Sequence, residues 1–364
     1  MQYLRVGVTR ENVERLPGTA PAALIAPELH GLLYDASLGR AVTAPSCGRC
    51  VSTVALRLSL MQTVLGANGV IGRELSRHLP EYSDRIRQVS RSPKRVNATD
   101  ELFSADLLDA QATADAVAGS TVTYLVAGLK YDHTVWEEQW PKVMRNAMDA
   151  CKRHRSALVF FDNVYAYGRV DGVMTEDTPY NPRSRKGDVR ARIATMLMDE
   201  AKRGELSAMI VRAADFYGPD ASLSVTHATV TERLKANKAP QWLGNANAVH
   251  SFTYTPDAGR SLAMLGNMAS AYGQVWHALT SKEAITGEQY VRVACELSGR
   301  PYALQVVPRW MLFFMGIFVP LVRENLEMLY QFEYDYRFDS SKAERALGLA
   351  ATGYREGIVA TLRA

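Results

Sequence analysis

Three glycines, Gly66, Gly69 and Gly72, stand between a short apolar run ending in Val64-Leu65 and a helical pattern carried by Ile71, Leu75 and Leu79. Strand, glycine turn and helix in that order form a cradle for an anion. The first glycine permits the tight turn, and the second lets backbone N–H groups approach phosphate. The third brings the helix close to the strand. Asn68, Val70 and Ile71 lie between them and belong to the same cradle. The chemistry implied is the binding of a dinucleotide pyrophosphate at a helix N-terminus.

The residue that ends the second strand decides which ribose is accepted. A carboxylate there binds the 2′-hydroxyl of NAD and repels the extra phosphate of NADP. The chain reads Arg87-Gln-Val-Ser90-Arg91-Ser92-Pro93-Lys94-Arg95, with no acid at the strand end. A guanidinium suits a phosphate monoester through paired N–H donors. Arg91 is therefore assigned to the 2′-phosphate and NADP is favoured, NAD being the alternative.

These residues need a scaffold. From residue 61 onward, strand candidates at 62–65, 85–90, 121–127, 157–162 and 208–212 alternate with helical patterns at 70–79, 109–117, 134–152 and 187–203. Such alternation predicts a parallel sheet covered by helices on both faces. The runs Val122 to Val126 and Leu158 to Phe161 have the continuous apolar character of buried parallel strands. The 134–152 helix carries Trp136, Trp140, Val143 or Met144, Ala147 and Cys151 on one side, a core stripe that Pro141 kinks or starts. After about residue 217 the alternation gives way to helices near 227–236, 257–268, 283–298 and 322–330. The expected fold is α/β: a doubly wound parallel (Rossmann) sheet over 61–220, interleaved with a smaller mixed α/β substrate-binding region over 221–364. Residues 1–60 contain no lysine and no sustained period. They are expected to be a disordered or non-native extension whose deletion leaves folding and cofactor binding intact.

Composition excludes several other classes. The net charge of +4 with no basic block speaks against nucleic acid. Four scattered cysteines suit a reducing cytoplasm better than a disulfide framework. Cys47-Gly-Arg-Cys50 has no second Cys/His pair to complete a metal site. No segment reaches the roughly 20 apolar residues of a membrane span. Trp310 to Val322, the nearest, reads as a buried helix or a lid over an apolar pocket rather than a membrane-surface contact.

From Met61 to the C-terminus the sequence resembles the NAD-dependent epimerase/dehydratase group, the extended branch of the short-chain dehydrogenase/reductase superfamily. The resemblance rests on the glycine spacing, Ala105-Asp106-Leu107, Val126-Ala127-Gly128, Phe160 to Gly168, Arg212 to Pro219 and Asp339-Ser-Ser-Lys342 through Leu347-Gly348. It implies that Asp106 contacts the adenine and that the cofactor lies along Ala127 and Gly128. It also implies a tyrosine acid/base with a lysine four residues on, and an upstream serine. This chain departs there: none of its seventeen tyrosines has a lysine at that spacing, and Asn163 takes the serine position. A phenol whose ordinary pKa is about 10 needs a neighbouring cation to act as a base at neutral pH. Tyr165 or Tyr167 is the substitute acid, Lys186 the substitute cation and a second cofactor contact, and Asn163 a holder of the substrate oxygen. The resulting expectation is an atypical NAD(P)-dependent oxidoreductase, possible as a homodimer, acting on a small, partly apolar carbonyl or alcohol. The alternatives are a nucleotide-sugar epimerase or dehydratase and a non-catalytic NADP(H) sensor.

Overall fold

The computed structural model describes residues 60–364 and, separately, a short antiparallel ladder of Leu33–Asp35 against Arg40–Val42. Apart from that ladder, the expectation for residues 1–60 falls outside the described residues, as does the Cys47/Cys50 pair. Seven strands form the central sheet: β1 (Met61–Leu65), β2 (Arg85–Ser90), β3 (Glu101–Ser104), β4 (Ser120–Leu125), β5 (Ala157–Asn163), β6 (Ala208–Ala213) and β7 (Val275–His277). Their spatial order is β3-β2-β1-β4-β5-β6-β7, and every neighbouring pair is parallel. Winding reverses between β1 and β4, which opens a crevice at the carboxyl ends of those strands. The doubly wound α/β expectation holds.

Strand alternation explains why the central runs are apolar throughout. Leu158 and Phe160 of β5 point into the core beneath α2 (Ala110–Val117), α3 (His133–His154) and α4 (Arg185–Lys202). Val159 and Phe161 point to the other face, covered by α1 (Val70–His78) and α5 (Thr255–Gly266). Successive side chains serve opposite layers, so both must be apolar. The α3 stripe of Trp136, Trp140, Val143, Met144, Ala147 and Cys151 is buried, and Pro141 lies inside the helix rather than in its first turn. Asp132 caps α3 by accepting from the N–H groups of Thr134 and Val135, and Ser184 caps α4 by accepting from Gly187.

Two strands of the central sheet escaped the sequence reading. β3 is an edge strand whose side chains are mostly exposed, and β7 has three residues. Both α5 and β7 come from beyond residue 220, so the C-terminal region threads back into the sheet. The rest of that region holds the short parallel ladder of 241–243 with 305–307, strand 252–254 paired with 215–217 of the preceding region, and further helices. These include α6 (Gly287–Leu297), α7 (Arg309–Phe318) and α8 (Pro320–Leu326). The expectation of burial for Trp310 to Val322 is corrected: α7 buries only Leu312 and Gly316, and most of its large apolar side chains face outward. An apolar run without a polar face carries no periodic signal of which side is covered. Among the described residues no helix is long and apolar enough to cross a membrane.

Candidate functional site

The glycine turn sits where β1 meets α1. Gly66 has φ of +96°, and a Cβ there would lie 2.4 Å from the Ala127 Cα, so no other residue fits. A Cβ on Gly72 would fall 2.7 Å from the Ala67 carbonyl oxygen, so the third glycine lets α1 pack closely on the turn that leaves β1. Gly69 is the N-cap of α1. No side chain caps that end, and its first turn holds no carboxylate. Its opening N–H groups, which have no partner inside the helix, therefore suit an anion. Ala127 packs on Gly66, while Gly128 is exposed with open space around it.

Asn68 does more than fill the turn. Its side-chain amide donates to the Ser92 carbonyl (2.8 Å), and its Oδ1 accepts from the Lys94 N–H (3.2 Å). The glycine turn is thus tied to the loop leaving β2. Arg91, Lys94 and Arg95 are exposed on that loop. The nearby acid Glu101 is engaged elsewhere, by Arg87 at 2.8 Å and Arg85 at 3.7 Å. Asp106, after β3, is exposed and accepts from the Leu108 N–H at 3.0 Å.

The second cluster lies at the ends of β4 and β5 and the start of α4. Asn163 uses its Oδ1 to accept from the Tyr165 N–H (3.0 Å), fixing the turn that carries Tyr165. The Tyr165 ring stacks on Trp136, and its hydroxyl lies 3.5 Å from that of Tyr131. Beneath the turn, Asp162 is fully buried and paired with Arg212 at 3.2 Å and Arg190 at 3.5 Å. Lys186 Nζ sits 4.7 Å from the centre of the Tyr131 ring.

Lys186 differs from the free cation expected. It is fully buried, 2.9 Å from Glu324 Oε2 and 2.6 Å from Glu327 Oε1, and donates to the Glu324 carbonyl oxygen at 2.8 Å. His133 adds its backbone N–H and Nδ1 to Glu324, each at 2.9 Å. Burial alone would raise the Glu324 carboxyl, but the hydrogen bonds from Lys186 and His133 outweigh it and hold it at about 2. A lysine neutralised by two carboxylates does not acidify a phenol. Burial pushes the Tyr165 hydroxyl well above its ordinary value, and the electrostatic influence of Tyr131 and Asp215 adds to that. Burial raises Tyr131 as well, with its hydrogen bond to Tyr165 opposing. Both phenols therefore stay protonated across the neutral range, which excludes a resting phenolate base and leaves each hydroxyl a hydrogen-bond donor rather than a ready proton donor.

Tyr167 is placed apart from this cluster. It is fully buried, and its hydroxyl meets His277 Nε2 at 3.0 Å. His277 Nδ1 lies 2.6 Å from the Asp339 carbonyl oxygen, which can only accept. Nδ1 is then the protonated nitrogen, and Tyr167 donates to Nε2. His250, at the start of the run Ser251 to Asp257, is also buried. It is stacked against Phe252, Phe332 and Tyr336, with Nε2 3.0 Å from Asp215. The structure thus brings Asn163, Tyr165 and Lys186 to one end of the sheet and removes Tyr167 to the core. Sequence reasoning missed Tyr131, Glu324 and Glu327. The last two stand three residues apart after the long apolar run, the one signal that could have marked them.

The model of the NAD dependent epimerase/dehydratase family matches residues 62–276, more than half of the chain. The chain belongs to that family. Solved structures of similar fold include a dTDP-glucose 4,6-dehydratase from Streptomyces venezuelae (17% identity, TM-score 0.69, 84% of this chain and 96% of that one). They also include a UDP-glucuronic acid 4-epimerase from Bacillus cereus (18%, 0.69, 84% and 98%) and a UDP-glucose 4-epimerase from Thermus thermophilus (18%, 0.68, 84% and 98%). No curated protein sequence matches this chain. The family match ends at residue 276 and the likeness in fold covers 84% of the chain, while the Tyr-x-x-x-Lys spacing implied by the resemblance to the NAD dependent epimerase/dehydratase family is absent from this sequence.

Proposed function

We propose that this protein binds a nicotinamide dinucleotide across the carboxyl ends of β1 and β4 and performs hydride chemistry on a carbonyl or alcohol carbon of a small, partly apolar substrate. The observation that carries the reading is the Gly66–Gly72 turn, with its positive φ, its contact with Ala127 and an uncapped α1 behind it. All three structural relatives named above are described as complexes with NAD, which supports the class of cofactor. For this chain, the exposed Arg91 and the lack of an acid at the end of β2 favour NADP over NAD. Gly66, Gly69, Gly72, Val70 and Ile71 hold the pyrophosphate. Asn68 holds the β2 loop in place, Asp106 reaches the adenine, and Ala127 and Gly128 border the cofactor's path.

When bound, the dinucleotide supplies or takes up the hydride. The protein's own part is proton handling and positioning. Tyr165, kept neutral by burial, donates a hydrogen bond to the substrate oxygen in the reducing direction, and water supplies the proton that the oxygen takes up with the hydride. Asn163 orients that turn through its bond to the Tyr165 N–H. Lys186, whose Nζ lies over the Tyr131 ring, acts as a positioning residue that fastens Glu324 and Glu327 to the start of α4. A second reading, epimerase or dehydratase chemistry on a nucleotide sugar, is supported by the family match and the named relatives.

Single-turnover mixing of the full chain with NADPH and a panel of small ketones and aldehydes separates the readings. The proposal expects loss of NADPH absorbance matched by alcohol formation. Turnover of a nucleotide sugar with no net change in the nicotinamide would favour the second reading. Saturable binding without turnover of either substrate class would favour the sensor.

A further inference from the structure

The α7–α8 hairpin presents a large apolar surface. Trp310, Phe313, Phe314 and Phe318 are 62, 59, 58 and 83% exposed, and Ile317 and Leu321 are exposed beside them. Isolated exposed apolar residues are ordinary, but a contiguous set of this kind marks a contact surface. No Asp or Glu occurs from Arg309 to Arg323, and an arginine stands at each end of the run. Arg323 is exposed, whereas the neighbouring Glu324 is buried against Lys186. The free charge beside the apolar face is that of Arg323, and no acid lies within the run itself. At about 1.5 Å per residue, the ten residues of α7 span about 15 Å, half the depth of a bilayer core of about 30 Å. The hairpin is long enough to enter a bilayer interface and too short to cross it.

We propose that α7 and α8 form a docking surface for the face of an anionic lipid bilayer. The phenylalanines and Trp310 enter the headgroup boundary, and Arg309 and Arg323 meet lipid phosphates. Arg309 also pairs with Glu333 at 2.8 Å, so Arg323 is the freer contact. The proposal rests on the outward side chains of α7 and α8 and does not depend on the cofactor reading.

Co-sedimentation of the full chain with phosphatidylcholine vesicles, with and without 30 mol% phosphatidylglycerol (about one lipid in three, enough for a strong surface charge), tests this. Sedimentation velocity of lipid-free protein runs in parallel. The proposal expects binding that strengthens with phosphatidylglycerol and weakens with salt. It expects the Phe313→Ser/Phe318→Ser variant to lose at least about tenfold in partitioning, with unchanged circular dichroism and an unchanged sedimentation coefficient. Arg323→Glu should remove the phosphatidylglycerol dependence. Absence of vesicle binding, or equal binding by the folded double variant, would overturn it. So would a dimer of the parent that the double variant dissolves, which would assign the surface to a second copy of the chain.

Discussion

At the scale of single residues, the site is governed by who neutralises Lys186. Buried ion pairs are most costly when one partner is lost, because the other charge stays uncompensated. Replacing Lys186 with Met removes the cation that Glu324 and Glu327 share and leaves Glu324 with His133 alone. The expected loss is about 3 to 5 kcal/mol, read as a lower denaturant midpoint at unchanged slope. The two tyrosines that were equal candidates in the sequence should separate. Tyr165→Phe should lower turnover by about two to three orders of magnitude while leaving dinucleotide binding intact. Tyr167→Phe should leave turnover nearly unchanged and cost about 1 kcal/mol, the worth of its hydrogen bond to His277. Steady-state kinetics beside urea melts distinguish the two outcomes. Asn163, Tyr165 and Lys186 were legible because they follow a recognisable strand and open a recognisable helix. The side chains that surround them were not, since Tyr131 lies after a different strand and Glu324 lies 138 positions beyond Lys186.

At the scale of elements, the glycine turn and the buried end of β7 respond to different perturbations. Gly72→Val would drive a side chain into the Ala67 carbonyl and separate α1 from β1. Nucleotide affinity should fall at least about a hundredfold, since misplaced phosphate contacts are lost together with packing. Equilibrium titration of folded variant checks this. Burial lowers the His277 imidazole from its ordinary 6.5 to about 3, against the opposing effect of its bond to the Asp339 carbonyl. The unfolded chain therefore takes up a proton that the folded chain refuses. Stability should be flat above the unfolded value and fall as pH drops from about 6.5 toward 3. A His277→Gln variant, which cannot charge, should show a shallower fall in melting temperature over that window. Element identity was readable wherever period and burial agreed, as in β5 and α3. Edge strand β3 and three-residue β7 lacked the apolar alternation that would have announced them, and the exposed α7 had no polar stripe to orient it.

At the scale of the whole molecule, the two halves of the chain are one working unit. α5 lies on α1, β7 completes the sheet beside β6, and Glu324 and Glu327 reach back to the start of α4. Cutting the chain at residue 220 should therefore leave an N-terminal fragment without its seventh strand and with Lys186 exposed. Such a fragment should lack a cooperative melt, which differential scanning calorimetry would reveal. The sequence reading expected the C-terminal region to interleave with the wound sheet, but not which elements return to it, because long-range pairing leaves no local pattern in sequence. The central claim about the molecule is that a dinucleotide pyrophosphate rests over the turn at Gly66. Isothermal titration of the folded chain with NADPH and NADH tests it most directly. Saturable one-to-one binding is expected, tighter for NADPH, with the preference reversed by Arg91→Asp and all binding lost in Gly66→Val. A flat thermogram with both nucleotides, from protein that still melts cooperatively, would contradict it.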